Sequence, residues 1–283
     1  MKRRSKICWL LFLPSLVGVL LFYAVPFAYS LWYAMVDSIG TQNFVGLKNF
    51  TSLLTNELFR RAAWNTVRFT VLVVPLGMVL ALLLALALQK VEHSRPLIVA
   101  LLLLPLVVPS GSVVYFWRVL FGDNGLILKF LLETGLTKSA ASPRWGMRPL
   151  TMIFLWKNVS YNVVLFWSGL NWIPKTYYEQ LRLEGGGAWA SFLHITWVYL
   201  SPTTFVVLLM SIVNSFKVFK EIYMLYGGYP SPDIYMLQHY MNNQFLSLDM
   251  PTLASAAYVL FLVLGVMLLL VFKAQKRVTD LYS

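Results

Sequence analysis

The sequence is poor in the residues that build metal sites and covalent cross-links. Its 283 residues include one cysteine, Cys8, and three histidines, His93, His194 and His239. A single cysteine excludes an intrachain disulfide and a zinc site built from cysteines. The histidines lie too far apart in the sequence to form a local metal-binding motif. We therefore expect no metal site in this chain.

The sequence also lacks the motifs that bind nucleotides or carry out hydrolysis. It contains no G-x-x-x-x-G-K-[ST] loop, because Gly185–Gly187 is followed by Ala-Trp-Ala rather than by lysine and a hydroxyl residue. No H-E-x-x-H or G-x-S-x-G motif occurs. We expect a protein that is not an enzyme and that binds no cofactor of its own.

Charged residues are scarce. They make up 12% of the sequence and hydrophobic residues 59%, against roughly 25% and 45–50% in soluble domains. The apolar residues form long blocks that need lipid around them, and in lipid each backbone polar group must bond within its own segment, as in a helix. The net charge of +12 comes from basic residues clustered at the ends of these blocks, where they orient helices in a bilayer. We therefore expect membrane lipid, and no nucleic acid, as a partner.

Six apolar segments reach or nearly reach the roughly 20 residues that cross a bilayer. The first could also be a secretory signal, but it extends well beyond the about 7–15 residues of a signal core. We interpret it as a retained span, with cleavage as the alternative. The sequence predicts an all-α integral membrane protein, a single domain over residues 1–283, with spans at Trp9–Tyr33, Phe69–Leu88, Leu97–Leu120, Leu150–Leu170, Ile195–Asn214 and Leu253–Phe272.

The distribution of basic residues predicts the orientation. The tails and the even-numbered loops, residues 1–8, 89–96, 171–194 and 273–283, hold eleven of the 23 basic residues. The odd-numbered loops are longer and hold them at lower density. Since basic residues accumulate on the cytoplasmic side, this favours a multi-pass inner-membrane protein with both termini in the cytoplasm.

On that orientation the loop of residues 171–194 is cytoplasmic. Pro174 suits the start of a helix, and Tyr178, Leu181 and Leu183 give a short, loosely amphipathic stretch. The Gly185–Gly187 run then ends it. Such a helix at the membrane surface would serve as a rigid handle for a partner protein. The alternative is an ordinary connection between two spans.

The same loop resembles the signature of ABC importer permeases. Glu179, Gly185 and Ile195 stand at the family spacing, and Glu184 is the acidic residue that sugar-type members place before the glycine. Gln180 and Leu181 replace the two alanines of the signature, and Trp197-Val198 replaces its Leu-Pro pair. Despite these departures, Glu179, Gly185 and Ile195 keep the spacing of the signature.

Further segments resemble the maltose and glycerol-phosphate type of these permeases, in order and over nearly the whole chain. They are Phe44–Phe50, Asn65–Thr70, Leu103–Pro105, Trp156-Lys157, Tyr161-Asn162 and Gly227-Gly228. The resemblance implies the type I ABC importer permease fold, with six transmembrane helices and a cytoplasmic coupling helix between the fourth and fifth. It also implies uptake of a sugar or sugar-like solute such as an oligosaccharide, and lysines along the solute path would suit an anionic one.

The resemblance further implies partners that this sequence does not contain. Members pair with a second permease subunit, usually in a heterodimer, on two ATPase subunits that hold ATP and magnesium, and an extracytoplasmic binding protein delivers the solute. Residues 176–190 would form the coupling helix that docks on the ATPase. The residues implied in this coupling are Tyr178, Glu179, Leu183, Glu184, Gly185 and Ile195.

The resemblance also places a solute path along the fourth and fifth spans. The positions implied are Lys157, Asn158, Tyr161, Asn214 and Lys217. A charge inside a span is costly and is by default a functional candidate. Two alternatives stand beside this one: Lys157 could extend to the membrane surface, and Lys217 could pair with Glu221 one helical turn away.

Two other classes of membrane protein compete with this interpretation. A secondary transporter would need ion-coupling carboxylates near the middle of the membrane, and the predicted spans carry no Asp or Glu well inside them. Composition does not exclude a gated channel. Only the signature spacing of Glu179, Gly185 and Ile195 argues against one.

We predict that a cysteine introduced within residues 176–190 is labelled from the cytoplasmic side only. The test uses a Cys8→Ser background, intact cells and inverted vesicles, with a thiol reagent that does not cross the membrane. Labelling in intact cells would contradict the orientation and the importer interpretation together.

Overall fold

A computed structural model describes residues 12–91, 93–121, 125–135 and 147–282 of the chain. Within these ranges the regular elements are helices, with one isolated β-bridge between Val36 and Phe44. In chain order they are α1 (Phe12–Ala34), α2 (Lys48–Thr55), α3 (Glu57–Gln89), α4 (Arg95–Val107), α5 (Ser110–Phe121), α6 (Leu126–Glu133), α7 (Arg148–Asn171), α8 (Lys175–Leu183), α9 (Ala188–Ser191), α10 (Trp197–Phe216), α11 (Phe219–Tyr226), α12 (Leu237–Leu246) and α13 (Met250–Tyr282).

The helices confirm the prediction of an all-α membrane protein. Four helical stretches are long and apolar enough to cross a bilayer: Phe12–Ala34, Glu57–Gln89, Ala188–Tyr226 and Met250–Lys276. The 24 residues of α7 also have the length of a span, although polar residues lower its hydropathy. The second predicted span starts earlier than expected, at Glu57 rather than Phe69. Residues 1–11, with Cys8 and the predicted start of the first span at Trp9, lie outside the described residues.

The third predicted span, Leu97–Leu120, is not one straight helix. It consists of α4 and α5, which are bent by 96° at a short break. Val108, at the end of α4, has an extended backbone with φ −71° and ψ 125°. Pro109 explains this conformation, because its ring disfavours the helical region for the preceding residue. The two segments form a broken span or a re-entrant loop.

The described chain divides into two compact units. One contains the chain up to Arg60 together with Tyr240–Gly265. Here α1 contacts the first half of α13: the Tyr258 hydroxyl hydrogen-bonds to the Phe27 carbonyl, and the rings of these residues lie 4.8 Å apart. The Asn49 amide donates to the Ala34 carbonyl at 3.0 Å and the Val36 carbonyl at 2.7 Å. Asn49 therefore satisfies carbonyls that the end of α1 leaves without helical partners.

The other unit contains Arg61–His239 and the chain from Val266 onward. Near the start of α3, the Asn65 side chain donates to the carbonyls of Pro232 and Tyr235 at 2.8 and 3.0 Å. The Thr66 hydroxyl accepts the backbone N–H of Leu237 at 2.9 Å. These two side chains, from the Asn65–Thr70 segment, hold the loop before α12 onto α3.

In this second unit α7 and α10 pack closely at Gly169. A Cβ atom at Gly169 would lie 2.5 Å from Thr203 Oγ1 and 2.9 Å from Leu200 Cδ2. Small residues allow such an approach between membrane helices, where packing contacts replace the hydrophobic effect as the driving force. A larger residue at position 169 would therefore force the Thr203 and Leu200 side chains to shift.

We predict that Gly169→Ala destabilises the protein by about 1–3 kcal/mol, because the added methyl overpacks the crossing. The matched control is Gly265→Ala in α13, where nothing lies within 4 Å of the new Cβ. The measurement is the thermal unfolding midpoint in detergent, with monodispersity by size-exclusion chromatography. Equal midpoints for the two variants would contradict the tight crossing.

Candidate functional site

A cavity of about 290 Å³ lies between α7 and the segment from the end of α10 to α11. Its polar lining residues are Lys157, Asn158, Asn214, Lys217, Lys220 and Glu221, and its apolar lining residues are Leu106, Ile153, Phe154 and Val218. Three lysines and one glutamate give this lining a formal charge of +2. We call it the lysine cavity.

The lysine cavity brings together four of the five residues predicted for the solute path: Lys157, Asn158, Asn214 and Lys217. Tyr161, the fifth, is exposed and lies outside this lining. Lys220 also lines the cavity, but the sequence prediction did not include it. The feature that could have indicated Lys220 is the apolar helical stretch Ala188–Tyr226, which extends past the predicted end of the span at Asn214 and includes this lysine.

An ion pair crosses the lysine cavity. Lys157 Nζ lies 2.7 Å from Glu221 Oε1, and the two side chains are 23% and 9% exposed. The sequence suggested Lys217 as the partner of Glu221, one turn away. Across the described ranges, neither Lys217 nor Lys220 forms a salt bridge. The cavity thus has one neutralised lysine and two that present their charge to whatever occupies it.

Amide and hydroxyl pairs continue from the cavity along the contact of α7 and α10. The Asn214 side chain donates to Asn158 Oδ1 at 3.0 Å, and the Asn158 amide donates to the Phe154 carbonyl at 2.9 Å. Farther along, the Asn162 amide donates to the Ser211 hydroxyl at 3.0 Å. Positions 158 and 162, like 211 and 214, recur at helical spacing, so each pair lies on one face of its helix.

The loop after α7 forms the short helix α8, which begins after Pro174 and ends at Leu183. The Gly185 N–H donates to the Arg182 carbonyl at 3.0 Å, and the Gly186 N–H to the Leu181 carbonyl at 2.8 Å. Gly185 has φ +84°. This is a Schellman motif, which requires a left-handed residue after the helix end, usually glycine. The predicted helix over residues 176–190 was therefore too long: it stops at Leu183, and α9 starts at Ala188.

Gly186 has a separate requirement that the sequence prediction missed. A Cβ atom there would lie 2.5 Å from Leu181 Cγ and 2.8 Å from the Leu181 carbonyl oxygen. Its N–H must come this close to reach the same carbonyl. Gly187, by contrast, has open space around a Cβ position and an ordinary φ of −80°.

The surface around α8 exposes large apolar side chains. Leu183 is 89% exposed, Trp172 84% and Trp189 72%, and Glu179, Glu184 and Gly185 are also exposed. Ile195, the sixth residue of the predicted coupling set, is instead buried in a core cluster with Leu170 and Leu200. It packs inside the chain and is not part of this surface.

α8 is attached to the helix that carries Asn214. The Tyr178 hydroxyl and Thr196 Oγ1 are 3.0 Å apart, and the rings of Tyr177 and Tyr199 stack with centroids 5.1 Å apart. Thr196 ends a π-helical turn, Phe192–Thr196, that leads directly into α10. These contacts join α8 to the start of the helix whose other end carries Asn214.

Known proteins share both the sequence and the architecture. The family described as binding-protein-dependent transport system inner membrane component matches residues 73–278. The sn-glycerol-3-phosphate transport system permease protein UgpA of Yersinia enterocolitica is 29% identical over 276 residues, 95% of this chain and 94% of the relative. The protein of that name from Salmonella choleraesuis is 31% identical over 214 residues, 74% of this chain and 72% of the relative.

Two solved structures have the same fold. One is a bacterial ABC transporter involved in the import of the acidic polysaccharide alginate, with a TM-score of 0.83, 23% identity, and coverage of 98% of this chain and 97% of the other. The second is the bacterial alginate ABC transporter in complex with an alginate pentasaccharide-bound periplasmic protein, with a TM-score of 0.83, 21% identity, and coverage of 98% and 96%.

The family match covers most of the chain, and the fold is that of a type I ABC importer permease. The chain therefore belongs to the binding-protein-dependent transport system inner membrane components, and it is a multi-pass inner-membrane permease subunit of an ABC importer, not an enzyme.

Proposed function

We propose that this permease imports an anionic sugar or sugar-like solute and that the lysine cavity lies on the solute path. The single observation that carries the proposal is the lining: three lysines and one glutamate around about 290 Å³. A fixed positive field raises the local concentration of an anion, and the two asparagine amides supply hydrogen bonds for hydroxyl groups. The relatives named above handle a phosphate ester and an acidic polysaccharide, which fits this chemistry.

The remaining machinery belongs to other chains. The permease pairs with a second permease subunit in a heterodimer, and two ATPase subunits bind ATP and magnesium. An extracytoplasmic binding protein selects and delivers the solute. Both termini and α8 face the cytoplasm. The exposed Leu183 and Trp189 contact the ATPase through apolar surface, and Glu179 pairs with a basic residue there.

In the proposed mechanism, movement of α8 is transmitted along α10 to the lysine cavity. ATPase closure displaces α8 as a rigid body, because the Schellman motif fixes its end and the Tyr178–Thr196 hydrogen bond fixes its side. The motion passes along α10 to Asn214 and shifts the amide contact with Asn158. Rocking of helices around a fixed site is the general form of alternating access.

Lys217→Met should lower uptake of the solute about tenfold, the equivalent of roughly 1.4 kcal/mol, because one of the two unneutralised charges disappears. The solute is first identified by screening ligands of the co-purified binding protein. Uptake is measured in proteoliposomes that hold the complete importer. Lys129→Met, an exposed lysine on α6, is the control. Equal uptake by wild type and Lys217→Met would exclude the cavity from the path.

Gly186→Ala should reduce ATPase recruitment and solute-stimulated ATP hydrolysis, because the added methyl meets the Leu181 carbonyl and opens the end of α8. Gly187→Ala is the matched control, one residue away with open space, and should behave as wild type. The measurements are co-purification of the ATPase and its hydrolysis rate in the complete importer. If both variants retain full coupling, α8 is not the element that the ATPase moves.

A further inference from the structure

Among the described residues, Glu221 is the one carboxylate in the lining of the lysine cavity, and one of the three lysines holds it. Glu221 lies on α11 and Lys157 on α7, 64 residues apart in sequence. The ion pair therefore joins two helices across the cavity, and it does so with a side chain that is 9% exposed. Nearly complete removal from water makes an unpaired carboxylate costly at this position.

A solute carboxylate or phosphate offers Lys157 the same interaction that Glu221 provides. Each presents a charged oxygen that accepts a short, charge-assisted hydrogen bond from an ammonium group. An anionic group entering the cavity and Glu221 therefore compete for the same donor. Glu221 has two other cations close in sequence: Lys217, one helical turn before it, and the adjacent Lys220.

We propose that Glu221 is a resident anion that occupies Lys157 while the cavity is empty and is displaced when the anionic group of the solute arrives. The inference rests on the proposed function, namely that the cavity lies on the solute path. It assigns Glu221 as a residue that sets affinity, acting through Lys157. The solute class it implies carries a carboxylate or a phosphate group.

Such a residue would help the cavity to release the bound solute. Transport requires a site that is favourable enough to enter and weak enough to leave. Without Glu221 the lining would carry three uncompensated lysines, and a polyanionic solute would dissociate slowly. Exchange of one carboxylate for another keeps the charge of the occupied site closer to balance, and the returning Glu221 helps to expel the solute.

The test is the binding of anionic probes to the complete importer in lipid nanodiscs, without binding protein, for wild type and Glu221→Gln. The probes are an alginate tetrasaccharide for carboxylates and sn-glycerol 3-phosphate for phosphates. Their neutral counterparts are the carboxyl-reduced tetrasaccharide and glycerol. Glutamine keeps the size of the side chain and an acceptor oxygen for Lys157.

Glu221→Gln should lower the half-saturating concentration of at least one anionic probe by about three- to tenfold, because the charge that competes for Lys157 is removed. Binding of the neutral counterparts should not change. The probe whose binding tightens indicates whether the natural solute carries a carboxylate or a phosphate group. A gain in affinity restricted to anions is not a result that local damage to the fold produces.

Glu221→Asp is a second test of the same inference if the glutamine variant fails to assemble. It keeps the charge but shortens the side chain by one methylene, which weakens its hold on Lys157, so anion binding should tighten by a smaller factor. Assembly is checked by size-exclusion chromatography. If neither variant binds either anion more tightly than wild type, the inference is overturned.

The inference and the proposed function fail in different ways. If Lys157→Met and Lys217→Met bind the anions as wild type does, the cavity is not on the path and both ideas fall. If these lysine variants bind more weakly while Glu221→Gln shows no gain, the cavity remains the anion site and Glu221 is only a clamp between α7 and α11.

Discussion

The contact of α7 with α10 joins the other functional features of the second unit. It is close because Gly169 leaves room for Thr203 and Leu200, and it is polar because asparagine and serine side chains pair along it. In a membrane an unpaired amide costs several kcal/mol, whereas a pair between helices contributes on average about 0.6 kcal/mol. The main effect of these pairs is therefore register: α10 can slide or rotate on α7 only by breaking them together.

The alignment of α10 on α7 determines which side chains line the lysine cavity. Asn158 and Asn214 line it with their amides bonded to each other, and the turn after α10 brings Lys217, Lys220 and Glu221 around the same space. The charges would repel one another in a dry interior. The ion pair between Lys157 and Glu221 relieves part of that cost, and the remaining two charges are what an anionic solute would neutralise.

The other end of α10 carries the connection to α8. A π-helical turn precedes α10, and such turns are frequent at functional sites. Thr196 in this turn bonds to Tyr178, and the buried Ile195 next to it anchors the turn in the core. One helix therefore links the surface proposed to meet the ATPase with the residues proposed to meet the solute. A stiff connection suits this role, because a flexible one would absorb the displacement.

Much of this architecture can be read from the residues in order, because it depends on local physics. Long apolar runs must form helices in lipid, and Pro174 with Gly185 marks both ends of α8. The signature spacing of Glu179 and Gly185 correctly indicated a helix with a sharp end. A local signal also accompanies the break in the third span: Pro109 follows Val108, where α4 ends, although prolines elsewhere are accommodated inside helices, as Pro75 is in α3.

The partner of Glu221 could not be obtained in this way. Spacing along the chain favours Lys217, one turn away, whereas the fold gives it Lys157, 64 residues distant. The same holds for the burial of Ile195 and for the close approach of Thr203 and Leu200 to Gly169. Hydropathy and spacing specify helices, their ends and their approximate depth, because those follow from backbone hydrogen bonding within a segment. Which side chains meet across helices depends on rotation and crossing distance, and these emerge only when the helices pack together.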